Sequence, residues 1–248
     1  MPPFLHRTLV LYILSFFLSG YLSAQAPGSA DPQKDSLSRY IHTKYGLDQK
    51  LFNGFQYYKR LIKYKGDPFF PEDSFYEGSV SIGGVDYEQV QLKYNCFSQS
   101  LVLEYTDYQG RYNQLSLNTA HIDSFQLGSA CFQKLSLQGE APLFYQVLRS
   151  PHVCSYIQWK KMINATSDDL QYSYEYSKAL RTNYISYRGE IQTYTNKKSF
   201  LSVFSESMAV EIKKFLRNQR TAFKEASPGD IQNLLNYISQ LEETPSEH

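Results

Sequence analysis

Residues 89–106 read Gln-Val-Gln-Leu-Lys-Tyr-Asn-Cys-Phe-Ser-Gln-Ser-Leu-Val-Leu-Glu-Tyr-Thr. Val90, Leu92 and Tyr94 alternate with Gln89, Gln91 and Lys93, and Leu101, Leu103 and Tyr105 alternate with Val102, Glu104 and Thr106. Successive side chains of a strand point to opposite faces, so this period of two predicts a pair of strands with one buried and one wet face. Asn95 to Ser98 supplies turn chemistry between them, and the whole stretch reads as an antiparallel hairpin.

The pattern extends in both directions. Gly83-Gly84, Asp107 to Gly110, Gly128-Ser129 and Gly139 to Pro142 break the chain into short alternating segments. Strand character resumes at Leu143 to Leu148 and at Val153 to Met162, where Val153, Ile157 and Trp159 share a face. Residues 163–170 (INATSDDL) read as a polar, mobile loop. Tyr172, Tyr174 and Tyr176 then project from one strand face, and Tyr184 to Tyr194 reads as a hairpin turning at Arg188-Gly189. Short strands at regular spacing predict a mainly β protein with some α (α+β), built on an antiparallel meander, curved sheet or barrel-like sheet.

After Asn196 the period becomes helical. Ser205 can cap a helix whose apolar stripe is Met208, Ile212, Phe215 and Leu216. A second helix opens at Ser227-Pro228-Gly229-Asp230, with a capping serine, a proline at the first helical position and an acid three residues after the cap. Its stripe is Ile231, Leu234, Leu235, Ile238 and Leu241. Each stripe needs a partner, so residues 197–248 are expected to form a helical hairpin packed on a β domain of residues 39–196.

At the other end, Arg7 precedes the apolar run Leu9 to Leu18 and a small-residue exit. These features describe a secretory signal peptide over residues 1–24, cleaved after Ala24, with a retained anchor as its rival. Residues 25–38 read as a flexible leader, and a short helix is expected around Leu37 to Lys44. Cys96, Cys131 and Cys154 admit either one disulfide with a free thiol or three reduced cysteines.

The full sequence of 248 residues carries 25 basic and 24 acidic side chains. Losing Arg7 makes them equal, which argues against nucleic acid as a partner, because phosphate neutralisation needs a basic excess. Abundant Tyr (22) and Phe (16) exclude a disordered chain. The basic face from Lys213 to Lys224 is offset by acids nearby and reads as a solvated helix surface.

No zinc, nucleotide-phosphate, dinucleotide or nucleophile-elbow motif occurs, and no histidine has a partner at metal-ligand spacing. No catalytic residue, metal or cofactor is therefore expected. His152 and Cys154, two apart on a strand, are the best nucleophile pair on offer, but a structural histidine near a turn beside a buried cysteine explains them far better, and no third member supports catalysis. Asp168-Asp169 offers hard oxygen ligands, although adjacent acids in a polar loop are ordinarily solvated. Tyr172, Tyr174 and Tyr176 form a candidate ligand surface, since stacked aromatics hold sugars, peptides or apolar ligands. Cross-strand aromatic packing accounts for the same row without a ligand.

Tyr45-Gly46-Leu47-Asp48-Gln49, Asn53-Gly54-Phe55-Gln56-Tyr57-Tyr58, Gly66-Asp67-Pro68-Phe69-Phe70, Leu92-Lys93-Tyr94-Asn95, Asn196-Lys197-Lys198-Ser199-Phe200 and Ala226-Ser227-Pro228 together resemble a family of exported proteins from Bacteroidota for which no activity is established. The resemblance runs from about Tyr45 to Leu241. It implies an envelope location in a Gram-negative cell and supplies no site residues.

These readings converge on an exported, non-enzymatic binding or assembly module, in the periplasm or on the periplasmic face of the outer membrane. Its expected partner is an envelope protein or glycan, with peripheral outer-membrane association as a further expectation. The alternatives are a carrier of lipid or another small hydrophobic ligand, which requires an apolar cavity, and a hydrolase, which requires His121 or His152 beside an acid or nucleophile.

Overall fold

A computed structural model describes residues 48–58, 64–107, 109–166, 173–218 and 223–243. The strands are β1 (Gly54–Gln56), β2 (Tyr64–Lys65), β3 (Phe69–Phe70), β4 (Tyr76–Ile82), β5 (Val85–Asn95), β6 (Ser100–Thr106), β7 (Tyr112–Leu117), β8 (Ile122–Leu127) and β9 (Ala130–Leu135). They continue as β10 (Leu143–Arg149), β11 (Val153–Lys160), β12 (Ile163–Ala165), β13 (Tyr174–Tyr176), β14 (Leu180–Tyr187) and β15 (Glu190–Tyr194). Three helices follow, α1 (Lys197–Leu201), α2 (Glu206–Asn218) and α3 (Pro228–Glu243).

Twelve strands form one antiparallel sheet in the order β1-β7-β6-β5-β4-β8-β9-β10-β11-β14-β15, with β3 added to β5. From β4 the chain walks outward through β5, β6 and β7. A short 3₁₀ turn at Thr119–His121, capped by the Asn118 side chain, then returns it to the free side of β4 as β8. From there it walks the other way to β15. The sheet is open, with β1 and β15 at its edges, so of the expected sheet shapes the closed barrel is excluded. Gly78 allows the close approach of β4 and β8: a Cβ there would lie 1.8 Å from the Gln126 carbonyl oxygen.

Paired residues across an antiparallel ladder share a face. One such row runs Tyr87, Val80, Phe125, Phe132, Gln146, Ile157, Asn183, Tyr194 across eight strands. This face carries the main core, and Phe200, Leu201, Phe204, Ile212, Ile231, Leu234, Leu235 and Ile238 of the helical region belong to the same cluster. Sheet and helices thus share one core. Complete burial of residues such as Ile157, Leu235 and Ile238 stabilises by roughly 1.5–3 kcal/mol each. Helix α3 packs on β10, β11 and α2, and Phe215 stacks on Tyr237 at 4.4 Å.

The caps explain where the helices start. Ser227 Oγ accepts from the Asp230 N–H at 3.1 Å while the Asp230 carboxylate accepts from the Ser227 N–H at 2.8 Å, a reciprocal box that satisfies otherwise orphaned donors. Ser205 Oγ likewise accepts from the Met208 N–H at 3.4 Å. Helix α1 was not anticipated. Its box uses Asn196 and Ser199, each accepting from the other's backbone N–H, at 3.0 and 3.1 Å.

Three expectations are corrected. Ile163–Ala165 is not loop but strand β12, which pairs with β13, itself parallel to β2, in a separate three-stranded sheet. The second face of the hairpin is not wet at Lys93 and Val102, both of which are buried. The outer face elsewhere also carries a small cluster of Leu137, Tyr145 and Tyr184, flanked by Leu135, Leu143 and Tyr156. The helix expected around Leu37 to Lys44 lies outside the described residues. Among those described, no helix is long and apolar enough to cross a membrane.

Candidate ligand-binding cleft

Pairing between β9 and β10 runs from Leu135↔Leu143 to Phe132↔Gln146 and stops there. Beyond it Cys131 and Ala130 stay with β8, opposite Gln126 and Leu127, whereas Val147, Leu148 and Arg149 stay with β11. The two strands part. By the alternation of the ladder, Cys131 and Val147 turn their backbone N–H and C=O groups toward the opening.

A cavity of about 690 Å³ occupies this opening, lined on the sheet side by Cys131, Phe132, Gln146, Leu148 and Arg149 and on the helix side by Pro228, Gly229 and Gln232. A second hollow of about 350 Å³ adjoins it, sharing Ser129, Ala130, Phe132 and Gln146 and adding Phe70, Pro71, Tyr76 and Leu127. Both volumes lie within the range of small-ligand sites. The second hollow is walled by apolar groups. Among the described residues that line the larger one, Arg149 is the only charged one.

The wall formed by Phe70 and Pro71 is held in place by two lysines. Lys161 Nζ donates to the Asp67 carboxylate and carbonyl, each at 3.0 Å, and Lys93 Nζ meets Asp73 Oδ1 at 2.7 Å. Both lysines are buried. The Lys93 ammonium also sits 4.1 Å from the Phe69 ring centre and 4.6 Å from that of Phe75, so aromatic faces replace part of its lost hydration. Between these two anchors Phe70 stacks on Trp159 at 4.3 Å.

Gln146 sits where the two hollows meet and is only 6 % exposed. Its Oε1 accepts from Trp159 Nε1 at 2.8 Å. An indole N–H only donates, so this bond fixes the amide orientation and leaves the Nε2 donors without a hydrogen-bond partner among the described residues. Above it, α3 presents the N–H of Gly229, which the capping box does not use, and the Gln232 amide donates to the Arg149 carbonyl at 2.8 Å. The Arg149 guanidinium is braced by Gln133 Oε1 at 2.7 Å.

The tyrosine row lies elsewhere. Tyr172 is outside the described residues, and Tyr174 and Tyr176 sit on β13 with Tyr64 as cross-strand neighbour, at ring separations of 5.9 and 5.1 Å. Tyr176 also meets Phe97 edge-on at 5.7 Å, while Tyr174 keeps 43 % of its surface exposed. Cross-strand packing therefore engages both described rings.

The side chain of His121 has no polar partner among the described residues, and His152 Nε2 lies 3.7 Å from Glu243 Oε1, beyond hydrogen-bond reach. His42, His248 and Asp168-Asp169 fall outside the described residues. Among those described, no three His, Cys, Asp or Glu side chains cluster to hold a metal. Cys96, Cys131 and Cys154 are all free thiols. Burial pushes the Cys96 thiol up to about 11. Comparison with protein-family models, curated proteins and solved structures finds no match.

Sequence reasoning missed the cleft because its residues are scattered from Phe70 to Gln232 and belong to no motif. One signal was present: Gln146, a polar residue in the otherwise apolar run Leu143 to Leu148.

Proposed function

We propose that this protein is a non-enzymatic binding module of the bacterial cell envelope whose ligand is a small, partly apolar molecule seated in the cleft between β9 and β10. The observation that carries the reading is the parting of two strands inside a continuous sheet, with adjoining hollows of about 690 and 350 Å³ at the gap. Closing the ladder would pair the strand edges at Cys131 and Val147, so leaving it open forgoes sheet pairing, which a bound molecule would offset. Of the binding readings, a small-ligand carrier is favoured over recognition of a polymer, because the two described tyrosines of the row, Tyr174 and Tyr176, pack on Tyr64 whereas the cleft is concave and apolar on one side.

Native mass spectrometry of the mature protein purified from its own envelope tests this. Extra mass of a few hundred daltons, lost on denaturation, is the expected result. A bare chain that also fails to take up any small amphiphile added back would refute it.

A further inference from the structure

The two edges of the sheet are unequally protected. At β15 the Gln138 amide donates to the Ile191 carbonyl at 3.5 Å and accepts from Thr193 Oγ1 at 3.4 Å, and Glu190 places a charge on the strand. At β1 the stretch Gly54-Phe55-Gln56-Tyr57-Tyr58 carries no charge and no proline. Lysine, proline and bulges ordinarily keep a bare edge from pairing with another chain, and β1 has only its shortness. The Tyr57 N–H donates to the Gln114 carbonyl at 2.9 Å and the Asn118 N–H to the Asn53 carbonyl at 3.0 Å. By alternation, Asn53, Phe55 and Tyr57 turn their backbone groups toward β7, whereas Gly54, Gln56 and Tyr58 turn theirs outward. Only β7 pairs with β1, so the outward groups have no ladder partner among the described residues. Phe55 and Tyr112 are each 80 % exposed and Tyr58 73 %, the highest values for any large apolar side chain among the described residues. Tyr112 stands four residues before Ser116, the partner of Phe55, and so shares its face. Open backbone groups flanked by exposed rings form a strand-addition site.

We infer that β1 pairs antiparallel with β1 of a second copy of this chain, joining two sheets edge to edge about a two-fold axis at Gln56. The strand is complementary to itself. With the axis at Gln56, each Gln56 exchanges both backbone hydrogen bonds with its twin, and Gly54 does the same with Tyr58 of the partner subunit. Phe55 then faces Tyr57 of the partner subunit in the closely spaced, non-hydrogen-bonded position, an aromatic pair that the symmetry makes twice. Gly54, having no side chain, leaves room for the Tyr58 ring opposite. A two-fold interface sets a residue on the axis against its own counterpart, so a charge there would repel itself, and this strand has none. The seam is short beside standard interfaces, so the dimer is expected to be weak, with a roughly micromolar Kd. It shares no residue with the cleft, and the small-ligand reading stands or falls separately.

The test is sedimentation velocity of the purified mature protein from about 1 μM to about 1 mM, as wild type, Gln56→Lys and Gln56→Glu. Wild type is expected to pass from monomer to dimer over this range. Either substitution sets like charges against each other at the axis and should weaken dimerisation by about tenfold or more. An equimolar mixture of the two variants should restore the dimer, because opposite charges then meet, and restoration also shows that both variants fold. Wild type that stays monomeric throughout, or a dimer that both variants retain, would overturn the inference. Loss in both variants without restoration in the mixture would overturn pairing at Gln56. A complex with a different chain, purified from the envelope and lost in Gln56→Lys, would give the edge to a strand of another protein and overturn self-pairing.

Discussion

Trp159 and Gln146 face each other across neighbouring strands, with the indole Nε1 donating to the amide oxygen at 2.8 Å in a site where both side chains are buried. The bond does two things. It satisfies the one polar side-chain atom of the tryptophan, and it leaves the amide donors of Gln146, which lines both hollows, without a hydrogen-bond partner among the described residues.

Replacing Gln146 with Leu keeps the volume of the core and removes the acceptor. The indole N–H is then buried without a partner, and the expected loss is about 1–3 kcal/mol. Urea denaturation monitored by Trp fluorescence measures it, since Trp159 is the one tryptophan. An unchanged midpoint would mean that water reaches the indole.

Lys93 and Asp73 make an asymmetric pair. The lysine side chain is 7 % exposed and the aspartate 33 %. Asp73→Asn leaves a buried ammonium with aromatic neighbours but no counter-charge, whereas Lys93→Met places an apolar chain among Phe69 and Phe75. Asp73→Asn is therefore expected to destabilise more than Lys93→Met, by roughly 1–3 kcal/mol. Comparison of the two melting curves checks the order, and a reversed order would show that the cation–π contacts outweigh the ion pair.

The Tyr187 hydroxyl donates to Glu242, and Arg188 approaches the same carboxylate at 3.3 Å, tying α3 to the β14 turn. The Tyr187 hydrogen bond holds the Glu242 carboxyl below its ordinary value, burial opposing, and Arg188 adds to the lowering. Burial, then Glu242, pushes the Tyr187 phenol up to about 12. A lowered carboxyl stabilises above its unfolded pKa and loses that contribution as pH falls through the folded value. A raised phenol stabilises below about 10 and loses its contribution as pH rises through about 12. The stability gap between wild type and Tyr187→Phe should be widest between about pH 5 and 9 and shrink on either side. Denaturation at pH 4, 7 and 11.5 reads it, and a gap independent of pH would rule out the coupling.

The three thiols should react in order of access. Cys131 is exposed at the cleft, Cys154 is half-buried, and Cys96 is buried with its thiol pushed up to about 11. At pH 8 iodoacetamide is expected to modify Cys131 first and Cys96 only on unfolding. Peptide mass mapping over time gives the order, and early labelling of Cys96 would show that the core opens readily.

Much of the sheet was legible because its signals are local. The alternation at Val90-Leu92-Tyr94, the glycine turns and the Ser227-Pro228 helix start each lie within a few residues, and the strands and helix appear where those signals put them. What was not legible depends on distant partners. Lys93 looks solvent-facing until Phe69, Phe75 and Asp73 close over it, and Ile163–Ala165 looks like loop until β13 pairs with it. The cleft is least legible of all, since it arises from pairing that stops, and a missing ladder leaves no mark on composition or period.

The return of the chain to β4 has a kinetic consequence. Strands β5, β6 and β7 form from neighbouring hairpins, but Val80 finds Phe125 only after the intervening forty-odd residues are laid down. Loop closure of that length is slow relative to a hairpin, so the β4–β8 seam is where two halves of a nascent sheet must meet. Until they do, β4 shows a bare edge that invites wrong pairing, and Gly78 at that seam is a position where a single added methyl group would stall assembly as well as weaken its product.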